Sequence, residues 1–122
     1  MIDGFERETD DLSDYELKTV LPAIERGLWT KWGRKSAVTN KEIVNGLAHN
    51  MGIKTTEPRV RKIINHIRNR GLVPCLIATS SGYYIAQNRK EMEDYIASLI
   101  GREESIRMVR ESMQQQLRNA NL

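Results

Sequence analysis

Apolar residues along this chain recur with two different spacings, and the places where the spacing changes divide it into elements. Residues 1–12 are acidic with little apolar periodicity, which predicts a loose N-terminal tail. From Ser13 the spacing becomes helical: Leu17, Val20, Leu21, Ile24 and Leu28 define one stripe, with Ser13 and Glu16 as a capping box at its start. Pro22 lies inside this stripe and predicts a kink or the first turn of a second piece. A second capping box, Thr39 with Glu42, opens a helical stripe of Ile43, Val44, Leu47 and Met51 that Gly52 closes. Thr56 is the next N-cap candidate, with Glu57 and Pro58 in a first turn that tolerates an acid and a missing donor. Val60, Ile63, Ile64 and Ile67 follow as a narrow apolar face, and Gly71 ends the helix.

Beyond Gly71 the texture becomes strand-like. Leu72 to Ala78 and Tyr83 to Ala86 are apolar runs separated by Thr79, Ser80, Ser81 and Gly82, which reads as a hairpin. Pro74 cannot donate to a ladder and belongs at a strand start or an edge. Alternation along the second strand predicts one of Tyr83 and Tyr84 inside and the other outside. Ser36 to Val38 could add one short strand, Trp29 and Trp32 are expected to cover the core, and Cys75 is expected to be a small buried apolar residue. From Asn88 to Leu117 a long helix is predicted, with Met92, Leu99, Ile106 and Met113 seven apart and Tyr95, Val109 and Gln116 near the alternate seam. The expected class is therefore mainly α with a small β-hairpin (α+β), divided into a tail at 1–12, a domain at 13–88 and a C-terminal helix at 89–122.

Charge sharpens this picture. The net charge of +3 conceals segregation: residues 1–25 sum to −6, residues 26–90 carry thirteen Lys or Arg against Glu42 and Glu57 for +11, and residues 91–122 sum to −2. A basic middle attracts a polyanion, of which nucleic acid is the commonest, although a soluble basic surface would have the same composition. With one cysteine, neither an internal disulfide nor a cysteine-based metal site can form. His49 and His66 have no carboxylate or cysteine at ligand spacing. There is no apolar run of membrane-spanning length, no Gly-rich phosphate loop and no nucleophile near a base. These absences predict a non-enzymatic protein with no cofactor, no membrane partner and no small-molecule substrate.

The helix over 57–70 holds the candidate chemistry. On a helical wheel its apolar residues share one direction, while Lys62, Asn65 and Asn69 point the opposite way. Arg59, His66 and Arg70 then flank one side, and Arg61 and Arg68 the other. Arginine and lysine neutralise phosphates, and asparagine can pair bidentately with an adenine edge in the major groove of DNA. Arg59, Lys62, Asn65 and His66 are accordingly expected to face bases, and Arg61, Arg68 and Arg70 to touch phosphates. Only Glu57 opposes six cations between Lys54 and Arg70, an imbalance unlike the mixed charges of a merely solvated face. The opposite charges also suggest that the acidic tail folds over this helix.

Two short helices joined through a tight glycine-containing connection form a helix-turn-helix pattern. With the preceding helix, the short strand and the hairpin, the order resembles the winged helix-turn-helix fold followed by a long C-terminal helix. The stretches Ala37 to Ile43, Arg59 to Arg68 and Gly71 to Ile85 also look like small winged-helix proteins encoded by phages and prophages. This resemblance, covering about residues 15–118, implies that the second paired helix enters the major groove of double-stranded DNA. It further implies that the wing tip contacts phosphates through Thr79, Ser80 and Ser81, with Arg89 and Lys90 just beyond. A regulatory or replication role is the expectation, in the cytoplasm of a bacterial host cell if the chain is phage-encoded. The rival is a winged-helix module that binds another protein. The seven-residue spacing of the last helix suggests either packing on its own domain or a homodimer, the latter preferred because the stripe outlasts so small a domain.

Overall fold

The computed structural model describes residues 9–122; residues 1–8 of the expected tail lie outside the described residues. The chain is mainly helical, with a small two-stranded antiparallel sheet and a long C-terminal helix. It divides between Gln87 and Asn88 into two compact units.

In the first unit, Ser13 and Glu16 form the expected reciprocal cap, at 3.0 Å and 3.1 Å. The helix that follows begins with a wide π turn over Glu16–Val20, where the Leu21 N–H reaches back to the Glu16 carbonyl, before becoming α1 (Leu21–Leu28). Pro22 supplies the reason. Its ring has no N–H and crowds the carbonyl four residues earlier, so the backbone widens ahead of it and proline falls in the first turn of α1.

A 3₁₀ turn over Arg34–Ser36 leads to α2 (Asn40–Met51), which has the full Thr39–Glu42 capping box and a left-handed Gly52 at its end. The next helix, α3 (Glu57–Arg70), starts after Thr56 in extended backbone and ends at a left-handed Gly71. Thr56 holds the N-cap position without a side-chain hydrogen bond. The hairpin pairs β1 (Leu76–Thr79) with β2 (Gly82–Ile85) in the register Leu76 to Ile85 and Thr79 to Gly82.

On its other edge β2 takes backbone partners from the α1–α2 connection. Val38 and Tyr83 exchange two hydrogen bonds, at 3.0 and 2.8 Å, and Trp32 forms a parallel bridge to Ile85. Of the expected Ser36–Val38 strand, only Val38 pairs; Ser36 closes the 3₁₀ turn. Gly82 is needed here, because a Cβ would come within 2.5 Å of the Val38 carbonyl oxygen and its φ is +118°.

The core gathers Val20, Ile24 and Leu28 of the first helix with Val60, Ile63, Ile64 and Ile67 of α3 and Leu76, Tyr83 and Ile85 of the hairpin. Several expectations change. Both Tyr83 and Tyr84 are buried. By the register, Tyr83 shares the core face with Leu76, Ala78 and Ile85, whereas Tyr84 sits opposite the buried Ile77 on the other face, so the hairpin is covered on both sides. Cys75 is exposed, in the turn preceding β1 with φ 62°, because the chain is still turning after Gly71 and β1 begins one residue later.

Trp29 and Trp32 are 44% and 51% exposed. Trp29 is the C-cap residue of α1, still in right-handed helical backbone with its N–H on the Glu25 carbonyl at 3.2 Å, and Trp32 joins the sheet through its backbone. Leu17 and Met51, expected in buried stripes, are exposed as well.

The second unit is one helix, α4 (Arg89–Asn119), with Asn88 capping the Glu91 N–H at 3.0 Å. Surface ion pairs support it, among them Arg89–Glu93, Lys90–Asp94 and Arg107 with Glu104. None of its residues is buried. Among the described residues no helix is long and apolar enough to cross a membrane.

Candidate functional site

The rotational setting of α3 follows from four side chains. Val60, Ile63, Ile64 and Ile67 are all 0% exposed. Each stabilises the fold by about 1.5–3 kcal/mol relative to exposure, so turning the helix would forfeit most of that. Their burial fixes what the opposite side presents: Arg61, Asn65, Asn69 and Arg70 are exposed, and Lys62, His66 and Arg68 are half-buried.

Arg59 does not join them. It is 2% exposed, its Nε donates to Glu16 Oε2 at 2.9 Å, and its Nη2 contacts Glu16 Oε1 at 2.5 Å. Two further N–H donors go to backbone carbonyls, Nη1 to Asp10 at 2.7 Å and Nη2 to Asp11 at 3.1 Å. The expectation that Arg59 faces bases is therefore corrected, since the side chain is buried and bonded to Glu16 and to two backbone carbonyls. Glu16 carries a double duty that its sequence position concealed: the same carboxylate caps Ser13 and neutralises Arg59.

Lys62 is half committed. Its ammonium donates to the Asp10 carbonyl at 2.6 Å and the Thr9 carbonyl at 3.3 Å, so Thr9 to Asp11 lies across the N-terminal part of α3. For the expected acidic tail, this is the portion that the described residues reach. Lys62 is held there by peptide carbonyls.

A shallow groove of 510 Å³ lies between this segment and α3. Asp11, Leu12 and Leu17 line it together with Lys62, Asn65, His66, Asn69 and Arg70, so five of the expected residues meet at one concavity. Within it, Arg70 Nη1 donates to His66 Nδ1 at 3.0 Å, which places the neutral ring's proton on Nε2. Arg61 and Arg68 lie outside the groove, on the other flank of the helix. The arrangement offers amide and imidazole edges for hydrogen bonding, bordered by cations.

The residues expected to form a wing tip, Thr79, Ser80 and Ser81, lie at the hairpin turn. Ser80 and Ser81 form its two-residue loop and are exposed. The Thr79 hydroxyl is engaged in the turn, donating to the Gly82 carbonyl at 3.3 Å and accepting from Ser81 N–H at 3.2 Å. Thr79 therefore shapes the loop, and Ser80 and Ser81 present the free surface there.

A second concavity, of 290 Å³, separates α1 from α2. Its walls are mostly apolar, with Ile24, Leu28, Ile43 and Leu47 among them and Lys31 and Asn50 as its polar members, which does not suit a phosphate chain. Among the described residues no three His, Cys, Asp or Glu side chains converge as metal ligands would. No protein-family model, curated protein or solved structure matches the chain.

Proposed function

We propose that this chain is a winged helix-turn-helix protein that binds double-stranded DNA through the exposed face of α3 and acts by binding rather than by catalysis. The observation that carries the reading is the complete burial of Val60, Ile63, Ile64 and Ile67, which turns Arg61, Asn65, Asn69 and Arg70 to solvent together. The element order supports it, as does the Val38–Tyr83 pairing, which ties the α1–α2 connection to the hairpin as a third strand would. In this reading Asn65 and His66 face base edges, Arg61, Arg68 and Arg70 meet phosphates, and the hairpin loop at Ser80 and Ser81 is the wing tip. Lys62 joins them when Thr9 to Asp11 moves aside. Arg59 is a structural residue. A cytoplasmic regulator or replication accessory of phage type is the biological setting proposed, and α4 the means of self-association.

The test is binding of fluorescent duplexes across a salt series. Affinity should fall steeply with salt, and Arg61→Ala should weaken binding to any duplex and lower the slope of log affinity against log salt by about 0.9, the value for one phosphate contact. Asn65→Ala should narrow discrimination between a duplex selected from a random pool and an unselected one by about 1–3 kcal/mol. Absence of duplex binding at low salt would overturn the proposal.

A second reading has its own observation. The cations at the start of α3 already hold peptide carbonyls, at Asp10 and Asp11, so the groove suits an extended segment of another protein. The same titration separates the two, because a peptide-binding groove would leave duplex DNA unbound.

A further inference from the structure

Helix α4 runs for 31 residues without burying one of them, and Gly101 lies in its interior. A helix gains most of its stability from packing an apolar face, and an interior glycine weakens it relative to alanine. One seven-residue repeat runs the length of the helix, although Ile96, Ile100, Met108 and Leu117 are exposed outside it. Met92, Leu99, Ile106 and Met113 form one seam and Tyr95, Arg102, Val109 and Gln116 the alternate one, with Ile106 and Val109 69% and 61% exposed. This is the spacing of a two-helix coil.

We propose that α4 pairs with α4 of a second copy of this chain, and that the two run antiparallel. Two features choose the orientation. In a parallel pair each seam residue meets its own copy, which sets Arg102 against Arg102 and Gln116 against Gln116. In an antiparallel pair centred near residue 104, each residue of one seam meets the other seam of its partner. Leu99 then faces Val109 of the second copy, Tyr95 faces Met113, and Arg102 lies over Ile106, where its stem covers apolar surface and its head reaches water.

Charge points the same way. Residues 89–104 carry three basic and five acidic side chains, net −2, whereas residues 105–119 carry three basic and one acidic, net +2. Antiparallel overlap lays the acidic half of each helix on the basic half of the other; parallel overlap lays like on like.

The pairing does not depend on what α3 binds, but it changes the geometry of any double site. Each first unit joins α4 at Asn88, and these attachment points would stand about 48 Å apart along the coil at 1.5 Å per residue. That exceeds the roughly 34 Å between half-sites one turn apart on DNA.

The experiment uses the full-length chain with Cys75→Ser, carrying either Leu99→Cys or Val109→Cys. Sedimentation should give twice the mass of one chain. On oxidation, an equimolar mixture of the two variants should form an interchain disulfide that neither forms alone. In the antiparallel pair identical positions are about 15 Å apart along the axis, beyond the roughly 7 Å a disulfide can span. Ready cross-linking of each variant by itself would overturn the orientation, and the mass of a single chain would overturn the pairing. Ile106→Asp with Val109→Asp, in an otherwise unchanged chain, should halve the mass; an unchanged mass would assign self-association to another surface and overturn the proposal.

Discussion

A guanidinium with 2% exposure has to find its hydrogen-bond partners inside the protein, and Arg59 finds Glu16 and two peptide carbonyls. Removing one partner of such a pair strands the other charge, at a cost of about 3–5 kcal/mol, whereas replacing both by apolar residues of similar volume is far milder. Glu16→Ala should therefore lower unfolding free energy in urea by about 3 kcal/mol or more. Glu16→Leu combined with Arg59→Met should recover much of that loss; equal damage from the double variant would mean that the ion pair itself stabilises the fold.

At the start of α2, the Glu42 carboxyl lies below its usual 4.5, chiefly because the Thr39 backbone N–H donates to it, then because of the Thr39 hydroxyl, with nearby Lys31 adding a smaller favourable field. A carboxyl lowered by folding binds fewer protons in the native state. Its contribution is complete above about 4.5 and is lost as pH falls through the lowered value. The difference in melting temperature between the natural chain and Glu42→Gln should thus be larger at neutral pH than at pH well below 4.5.

Among the elements, those with local signals were legible. The ends of α2 follow from Thr39, Glu42 and Gly52, the end of α3 from Gly71, and the hairpin loop from Ser80, Ser81 and Gly82, since caps and turns act over three or four residues. What escaped the sequence depends on distant partners. Nothing near Arg59 announces that Glu16, 43 residues earlier, will claim it. The burial of Tyr84 needs cover on a face that alternation assigns to solvent, and the exposure of Trp29 and Trp32 follows from where α1 stops.

The segment at Thr9 to Asp11 lies at the same scale. It occupies Lys62 and puts the acidic Asp11 in the wall of the groove beside α3. Deleting Met1 to Asp11 should tighten binding to unselected duplex at low salt several-fold, and Asp10→Asn with Asp11→Asn should reproduce the electrostatic part of that gain. Unchanged affinity in the deletion would show that this segment does not compete with DNA.

Across the whole molecule, the charge blocks that first suggested a polyanion have different structural fates. The cations between Lys54 and Arg70 are divided between a buried ion pair, carbonyl contacts and an open face, so the +11 of residues 26–90 overstates what a ligand meets. The spacing of α4 was legible because it repeats; its balanced halves become informative only when the helix is seen to bury nothing. The clasp between Glu16 and Arg59 also sets a timetable for synthesis. Ribosomes add roughly 5–20 residues per second, so the carboxylate emerges several seconds before the arginine that will neutralise it. During that interval the nascent segment can hold its Ser13 cap but not its place in the fold, which makes the arrival of α3 the event that fixes Asp10 to Glu16 in position.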